Sequence, residues 1–310
     1  MLDIGLIGLG GIAQKAYLPY MRQLKDVHWH ISTRDNVIRE QVDNLFGNST
    51  IYTDVNQLVN VSLDGVFIHA ATKAHFTLAS LFLKAGIPVY MDKPLTESFE
   101  ETQHLYDLAK ANNTFLMAGF NRRFAPRLSD LKELASKKRI IVEKNDVNSV
   151  GHKVFKLFDF FIHPLDTALF LSDEKPLRGR FRYHLENQLL SHVSVSLETA
   201  SSQIIVGMNL QSGSRREVME VQTPEATGPL ENLDELTIYK GTDKEVKAFG
   251  SWDTTLYKRG FETVINSFLE AVKSGVNPVN VESSLMSHWL CHQIAQSSSE
   301  HGELDITLPN

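Results

Sequence analysis

Cysteine is almost missing from this 310-residue chain, where Cys291 stands alone. A single thiol excludes an intramolecular disulfide or a multi-thiolate metal cluster and fits a reducing compartment, so a cytoplasmic protein is expected. An excess of basic charge is missing too. The 31 Lys and Arg residues face 37 Asp and Glu residues, a net charge of −6, which argues against a general nucleic-acid binder because phosphate contacts need a basic face. No apolar run approaches the roughly 18 residues of a membrane span. The apolar opening carries Asp3 and no basic leader, unlike a secretory signal. No Gly-x-Ser-x-Gly elbow is present for acyl chemistry, and Cys291 lies in an apolar helical stretch that reads as core. The histidine pair His288 and His292 reads as helix surface rather than a metal chelate.

What is present has order. At roughly 150 residues per domain, the length predicts two domains. Apolar strands at Asp3–Ile7, Val27–Thr33, Gly65–His69, Pro88–Met91 and Phe115–Ala118 alternate with helical spacings at Ala13–Gln23, Asn36–Phe46, Ala74–Ala85 and Phe99–Asn112. Such alternation predicts parallel crossover units with helices on both faces of the sheet. Beyond Phe120 the pattern changes. Leu128–Lys137 reads as a helix, Glu143–Ser149 as a polar loop and Phe160–Leu171 as an apolar helix, and period-two alternation runs from Gly179 to Phe249. Helices near Phe261–Lys273 and Ser283–Ser297 and a short strand at Asp305–Leu308 complete the reading. The expected fold is α/β. An N-terminal Rossmann domain with a doubly wound parallel sheet spans 1–120, and an α+β domain with a mostly antiparallel, open-faced sheet of roughly five or six strands spans 121–310.

Gly8-Leu9-Gly10-Gly11-Ile12-Ala13 fits the Gly-x-Gly-x-x-Gly/Ala fingerprint of a dinucleotide site and lies between a predicted strand and helix. In that motif Gly8 permits the tight turn, Gly10 admits the pyrophosphate and Ala13 allows close helix–strand packing, with free helix N–H groups facing the phosphates. At the end of the second strand stand Ser32, Thr33 and Arg34, followed by Asp35. Two hydroxyls and a guanidinium suit a 2′-phosphate and favour NADP over NAD. The competing reading places Asp35 on the ribose of NAD.

Two clusters carry reaction chemistry. Asp92-Lys93-Pro94 ends a strand of the same sheet, and Asp159-x-x-x-His163-x-x-Asp166 sets its side chains along one helical side. With Arg123-Phe124-Ala125-Pro126 and the Gly8–Ala13 fingerprint, these motifs resemble the Gfo/Idh/MocA family of glucose-fructose oxidoreductases and inositol dehydrogenases across nearly the whole chain. Val66 to His75 is similar to that family's strand-end loop, so the resemblance adds Ala71, Thr72 and His75 to the cofactor-binding set, with Lys93 beside it. It implies hydride transfer between nicotinamide C4 and a hydroxyl-bearing carbon of a sugar, cyclitol or related polyol. It also implies a homodimer or homotetramer formed through the C-terminal sheet; the charge balance and the lack of a long apolar run leave neither nucleic acid nor membrane as an expected partner.

Alcohol oxidation needs a base near the hydroxyl proton. His163 is the first choice, Lys93 orients the oxygen and stabilises alkoxide, and Asp159 orients the imidazole or binds a substrate hydroxyl. Asp166 reads as structural, tying its helix to neighbouring backbone. Departures from the family pattern bear on specificity. Asp92 replaces the usual glutamate, Ala71 stands where many relatives have proline, and bulky Lys156-Leu157-Phe158 replaces glycines. A different class, a redox sensor that binds NADP(H) without turnover, needs no lysine or acid–histidine pair and is the rival reading.

Overall fold

The computed structural model describes residues 1–309, which form two compact units. The first contains Met1–Gly119 and Phe261–Val281, the second Phe120–Gly260 and residues 282–309. Among the described residues no helix is long and apolar enough to cross a membrane.

In the first unit six parallel strands, β1 (Leu2–Ile7), β2 (Val27–Ser32), β3 (Ser49–Tyr52), β4 (Gly65–Ile68), β5 (Val89–Asp92) and β6 (Leu116–Gly119), lie in the order β3-β2-β1-β4-β5-β6. Chain order reverses between β1 and β4, and such a switch point opens a crevice at the strand carboxyl ends. Every residue of β4 and β6 is buried, as expected for strands covered on both faces. The edge strand β3 escapes the sequence reading because it is short and mostly half-exposed.

The helix Phe261–Ser274 belongs to this unit although more than half the chain separates it from β4. Phe268 sits edge-on to Phe67 and Tyr90, with ring centroids 4.6 and 5.7 Å away. Gly65 permits the approach, since a Cβ there would lie 2.8 Å from Val272. The amphipathic pattern of the helix shows that it needs an apolar surface. It does not say which sheet supplies it.

The second unit is built on nine strands: β7 (Arg139–Lys144), β8 (Arg178–Glu186), β9 (Leu189–Glu198), β10 (Gln203–Asn209), β11 (Glu217–Gln222), β12 (Thr227–Glu231), β13 (Glu235–Lys240), β14 (Asp243–Lys247) and β15 (His301–Leu304). Their order is β14-β13-β12-β11-β7-β10-β9-β8-β15, and β7 with β10 is the parallel pair in an otherwise antiparallel sheet. The sheet is larger than expected partly because Glu143 and Lys144, expected in a loop, end the central strand β7. The final strand lies at His301–Leu304 instead of Asp305–Leu308. Leu304 pairs with Gly179, while the Asp305 carbonyl accepts from Trp289 and Gln293 side chains. The first helix of the unit is Pro126–Lys132, shorter than the expected Leu128–Lys137, with proline in its opening turn where no N–H is needed.

One face of this sheet is buried, with Ile140, Val142, Val195, Leu197, Ile204 and Val206 all at 1% exposure or less. The other face is open, but it is not the apolar surface a bare sheet would suggest. Arg178, Arg180, Arg182, His184, His192 and Glu198 project from β8 and β9 into solvent, and Ile141, Ile205 and Val218 are half-buried. His288 corrects the sequence reading: it is fully buried, not on a helix surface, and its Nδ1–H donates to the Ser284 carbonyl at 2.9 Å. Cys291 is buried too, and burial pushes its thiol up.

Burial lowers the His288 pKa to about 4 from 6.5. Between those values the unfolded chain binds more protons, so the neutral ring stabilises the fold fully above pH 6.5 and less as pH falls toward 4. The contribution at stake is on the order of 3 kcal/mol. Urea unfolding followed by tryptophan fluorescence is expected to show stability falling across this window, and His288→Asn to flatten the fall. An unchanged slope in the variant would refute the assignment.

Candidate functional site

The nucleotide fingerprint takes its conformation from Gly8. Its φ is +84°, and a Cβ there would lie 2.3 Å from the backbone nitrogen of Ala70, so a side chain is excluded both by conformation and by space. At Gly10 and Gly11 nothing lies within 4 Å of a notional Cβ, which leaves the open backbone a pyrophosphate requires. Ala13 is fully buried and begins a π-helical turn, Ala13–Tyr17, that leads into the helix Leu18–Met21.

A cleft of about 860 Å³ opens at this point in the first unit. Among the sequence-chosen residues, Gly8, Gly10, Ser32, Thr33, Arg34 and Ala71 line it, whereas Gly11, Ile12, Ala13, Thr72, His75 and Lys93 do not. His69, at the end of an apolar strand run in the sequence, also lines it. It is 3% exposed, and neither ring nitrogen has a hydrogen-bond partner among the described residues; the nearest carboxylate oxygen, on Asp92, is 3.8 Å away. Side-chain-free glycines, strand-end hydroxyls and an orphaned buried imidazole make a donor set that fits a dinucleotide.

Asp35 lies on the same wall. Its Oδ1 accepts from the Val37 and Ile38 backbone nitrogens at 2.9 and 3.2 Å, capping the helix Asn36–Leu45. Arg34 is exposed beside it.

Lys93 stands at the end of β5, where its backbone N–H donates to Asp92 Oδ1 at 2.9 Å. The Lys93–Pro94 peptide is cis. His75, expected beside the cofactor, has its ring buried beneath the loop and is not among the residues lining the cleft. Nδ1 lies 2.9 Å from the Pro94 carbonyl and Nε2 2.9 Å from the Ala70 carbonyl, so the ring staples the loop after β4 to the Lys–Pro turn. Burial lowers its pKa although those carbonyls oppose the shift. Beneath the turn, Tyr17 and Tyr90 share a 2.8 Å hydrogen bond, and burial, then the Asp92 charge, raises both phenols.

In the second unit the acid–histidine segment runs from a π-helical turn, Leu157–Phe161, into the helix Ile162–Leu171. Asp159 and His163 are half-buried. His163 Nδ1 lies 2.7 Å from Arg122 Nη1. A guanidinium has no acceptor, so Nδ1 must accept and the neutral ring carries its proton on Nε2. Arg122 is itself forked onto both oxygens of Glu217, with Nη2 to Oε2 at 2.9 Å. Burial alone would raise the Glu217 carboxyl, yet the Arg122 charge and hydrogen bond, with Lys144 and Arg259, hold it below the usual range.

Sequence reasoning missed both partners. Arg122 adjoins the Arg-Phe-x-Pro segment, which was a usable signal; Glu217 lies 95 residues away with none. Asp166 is tied to side chains instead of the expected backbone. Arg123 meets its two oxygens at 2.9 and 2.6 Å, and Ser287 donates to one at 2.8 Å. Since Asp166 is 1% exposed, Arg123→Met strands a buried carboxylate and is expected to cost ~3–5 kcal/mol. Thermal and urea unfolding measure this, and a loss below ~1 kcal/mol would show that the pair is not structural.

Residues 2–120 match the family model described as "Oxidoreductase family, NAD-binding Rossmann fold", and residues 126–241 match "YceM-like, C-terminal domain". A YceM protein of Salmonella typhimurium is 32% identical over 89% of this chain and 91% of its own length. A myo-inositol 2-dehydrogenase of Thermotoga maritima is 30% identical over 43% of this chain and 40% of its own. A crystal structure of a Gfo/Idh/MocA family oxidoreductase from Vibrio cholerae superposes with a TM-score of 0.90 at 31% identity, covering 96% of this chain and 97% of that one. With the fingerprint, the Lys–Pro turn and the acid–histidine helix in family order, the chain belongs to the Gfo/Idh/MocA oxidoreductases and is a dehydrogenase acting on CH–OH groups.

Proposed function

We propose that the protein is an NADP(H)-preferring dehydrogenase that moves hydride between the nicotinamide and a hydroxyl-bearing carbon of a sugar, cyclitol or related polyol. The observation carrying the cofactor preference is the capping role of Asp35: its Oδ1 already holds two helix N–H groups, while Ser32, Thr33 and Arg34 remain on the cleft wall. A guanidinium there meets a 2′-phosphate bidentately. Hydride acceptance and return are the chemistry the bound dinucleotide supplies.

The chain's own groups handle the oxygen and its proton. Lys93 orients the substrate oxygen, stabilises developing alkoxide and takes or returns the proton. Asp159 holds a substrate hydroxyl. His163 takes a different part from the base chemistry its type first suggests. With Nδ1 accepting from Arg122, Nε2–H is a donor, and the ring serves the oxygen as a hydrogen-bond donor while proton acceptance falls to Lys93. The small-molecule substrate is a polyol or sugar. We assign the protein to the cytoplasm and propose a homodimer or homotetramer joined through the open face of the nine-stranded sheet, with Ile141, Ile205 and Val218 in the contact. Light scattering at micromolar concentration is expected to report at least a dimer; a monomer overturns the assembly.

Fluorescence titration is expected to give tighter binding of NADPH than NADH. Arg34→Ala should weaken NADPH by roughly 10- to 100-fold, the worth of a charge-assisted contact, and leave NADH unchanged. NADH binding as tightly as NADPH, indifferent to Arg34→Ala, overturns the preference. In a panel of sugars, cyclitols and amino sugars, Lys93→Ala should lower kcat by about 10²- to 10⁴-fold. Cofactor binding without turnover on any of them would favour a sensor.

A further inference from the structure

The second unit holds a pocket of its own, about 450 Å³, walled by the end of β7, the start of β11 and the half-buried ring of Phe160. Lys144, Arg215, Arg216 and Arg259 stand on its wall against two carboxylates, Asp146 and Glu217. Both oxygens of Glu217 are held by Arg122, and Arg259 reaches that carboxylate only at 4.0 Å. Arg215 pairs with Asp146 at 2.7 Å, and Arg216 forks onto Glu231 outside the pocket wall.

Against the Phe160 ring lies Lys156, 7% exposed, its ammonium 4.1 Å from the ring centroid. No hydrogen bond or ion pair holds that ammonium among the described residues. The Lys144 ammonium is 4.9 Å from the same ring. Burial lowers the Lys156 pKa, with Asp146 and Asp159 opposing, and burial followed by the Arg122 charge lowers that of Arg259. The Lys156 ammonium has the Phe160 ring face as its near partner, and Arg259 has a carboxylate at 4.0 Å that Arg122 already holds, so both can take up the oxygens of an added anion.

We propose that this pocket is the subsite for an anionic group, a carboxylate or a phosphate, borne by the polyol substrate, an assignment that rests on the dehydrogenase reading above. The Arg259 fork suits either oxyanion, and the Phe160 face suits the C–H surface of a sugar. Phe160 follows Asp159 directly, and Glu217 joins the pocket wall through Arg122 to His163. An anchored anion would thus fix the rest of the molecule against the acid–histidine helix. A neutral polyol would leave the cations uncompensated, so the pocket discriminates by charge.

Isothermal titration calorimetry on the full chain tests this with D-gluconate, glucose 6-phosphate, inorganic phosphate and neutral glucose. At least one of the two anionic sugars is expected to bind about tenfold or more tightly than glucose, and to weaken as salt rises. Gluconate alone gaining identifies a carboxylate and glucose 6-phosphate alone a phosphate, with inorganic phosphate competing in either case. Arg259→Gln and Lys156→Met should each weaken the anion by roughly 10- to 100-fold, with NADPH affinity unchanged as the check on folding and Arg259→Lys restoring part of the loss. Should Lys156→Met fail to fold, Arg259→Gln and the salt dependence of the wild type decide. Glucose binding as tightly as both anionic sugars, or anion affinity indifferent to both variants, overturns the subsite. Anion binding that responds to salt and variants, without NADPH formation from gluconate, glucose 6-phosphate or glucose, would count against the proposed sugar or polyol substrate and uphold the subsite. NADPH formation from neutral polyols, with no preference for anions and no effect of the variants, would do the opposite.

Discussion

Much of the second unit depends on one buried ion pair, Arg122 with Glu217. Taking both charges out of water is unfavourable, and their attraction offsets this because the contact is bidentate and the third guanidinium nitrogen, Nη1, donates to the His163 ring. The pair therefore fixes three things together: where β11 begins, how the turn Asn121–Phe124 is seated, and which nitrogen of His163 carries its proton. The next residue repeats the arrangement on another partner, since Arg123 grips Asp166 and Ser283, while Ser287 donates to the same Asp166 carboxylate. Two consecutive arginines thereby lock the acid–histidine helix at two points along its length.

In the first unit, positioning relies on backbone more than on charge. Gly8 turns the chain, Asp35 caps the following helix, and His75 ties two strand-end loops by their carbonyls. None of these side chains need touch a ligand to shape its site.

The parts legible in the sequence were local. The Gly8–Ala13 fingerprint sits within one strand–turn–helix unit, and the strands of the parallel sheet announce themselves as short apolar runs because both faces are covered. Illegible parts depended on distant partners. Ile140 to Val142 is too short a run to mark the central strand β7, and Glu217 reads as an ordinary strand-end acid until Arg122 is placed beside it. His288 has a polar name and a core position, because a single carbonyl in the preceding helical turn satisfies its N–H. The helix Phe261–Ser274 shows an apolar side but carries no address, and its partners Phe67 and Tyr90 lie in strands read much earlier.

That last feature bears on how the protein is made. The first unit leaves its own sheet at Gly119 and recovers its closing helix only after residues 120–260 have been synthesised. Until then the surface around Phe67 and Tyr90 lacks the cover of Phe268, so a nascent chain carries a complete fingerprint on an unfinished sheet. The dinucleotide unit reaches its native packing only when most of its neighbour has left the ribosome. The order of biosynthesis thus links the maturation of a nucleotide site to a helix that is not among the described residues lining its cleft.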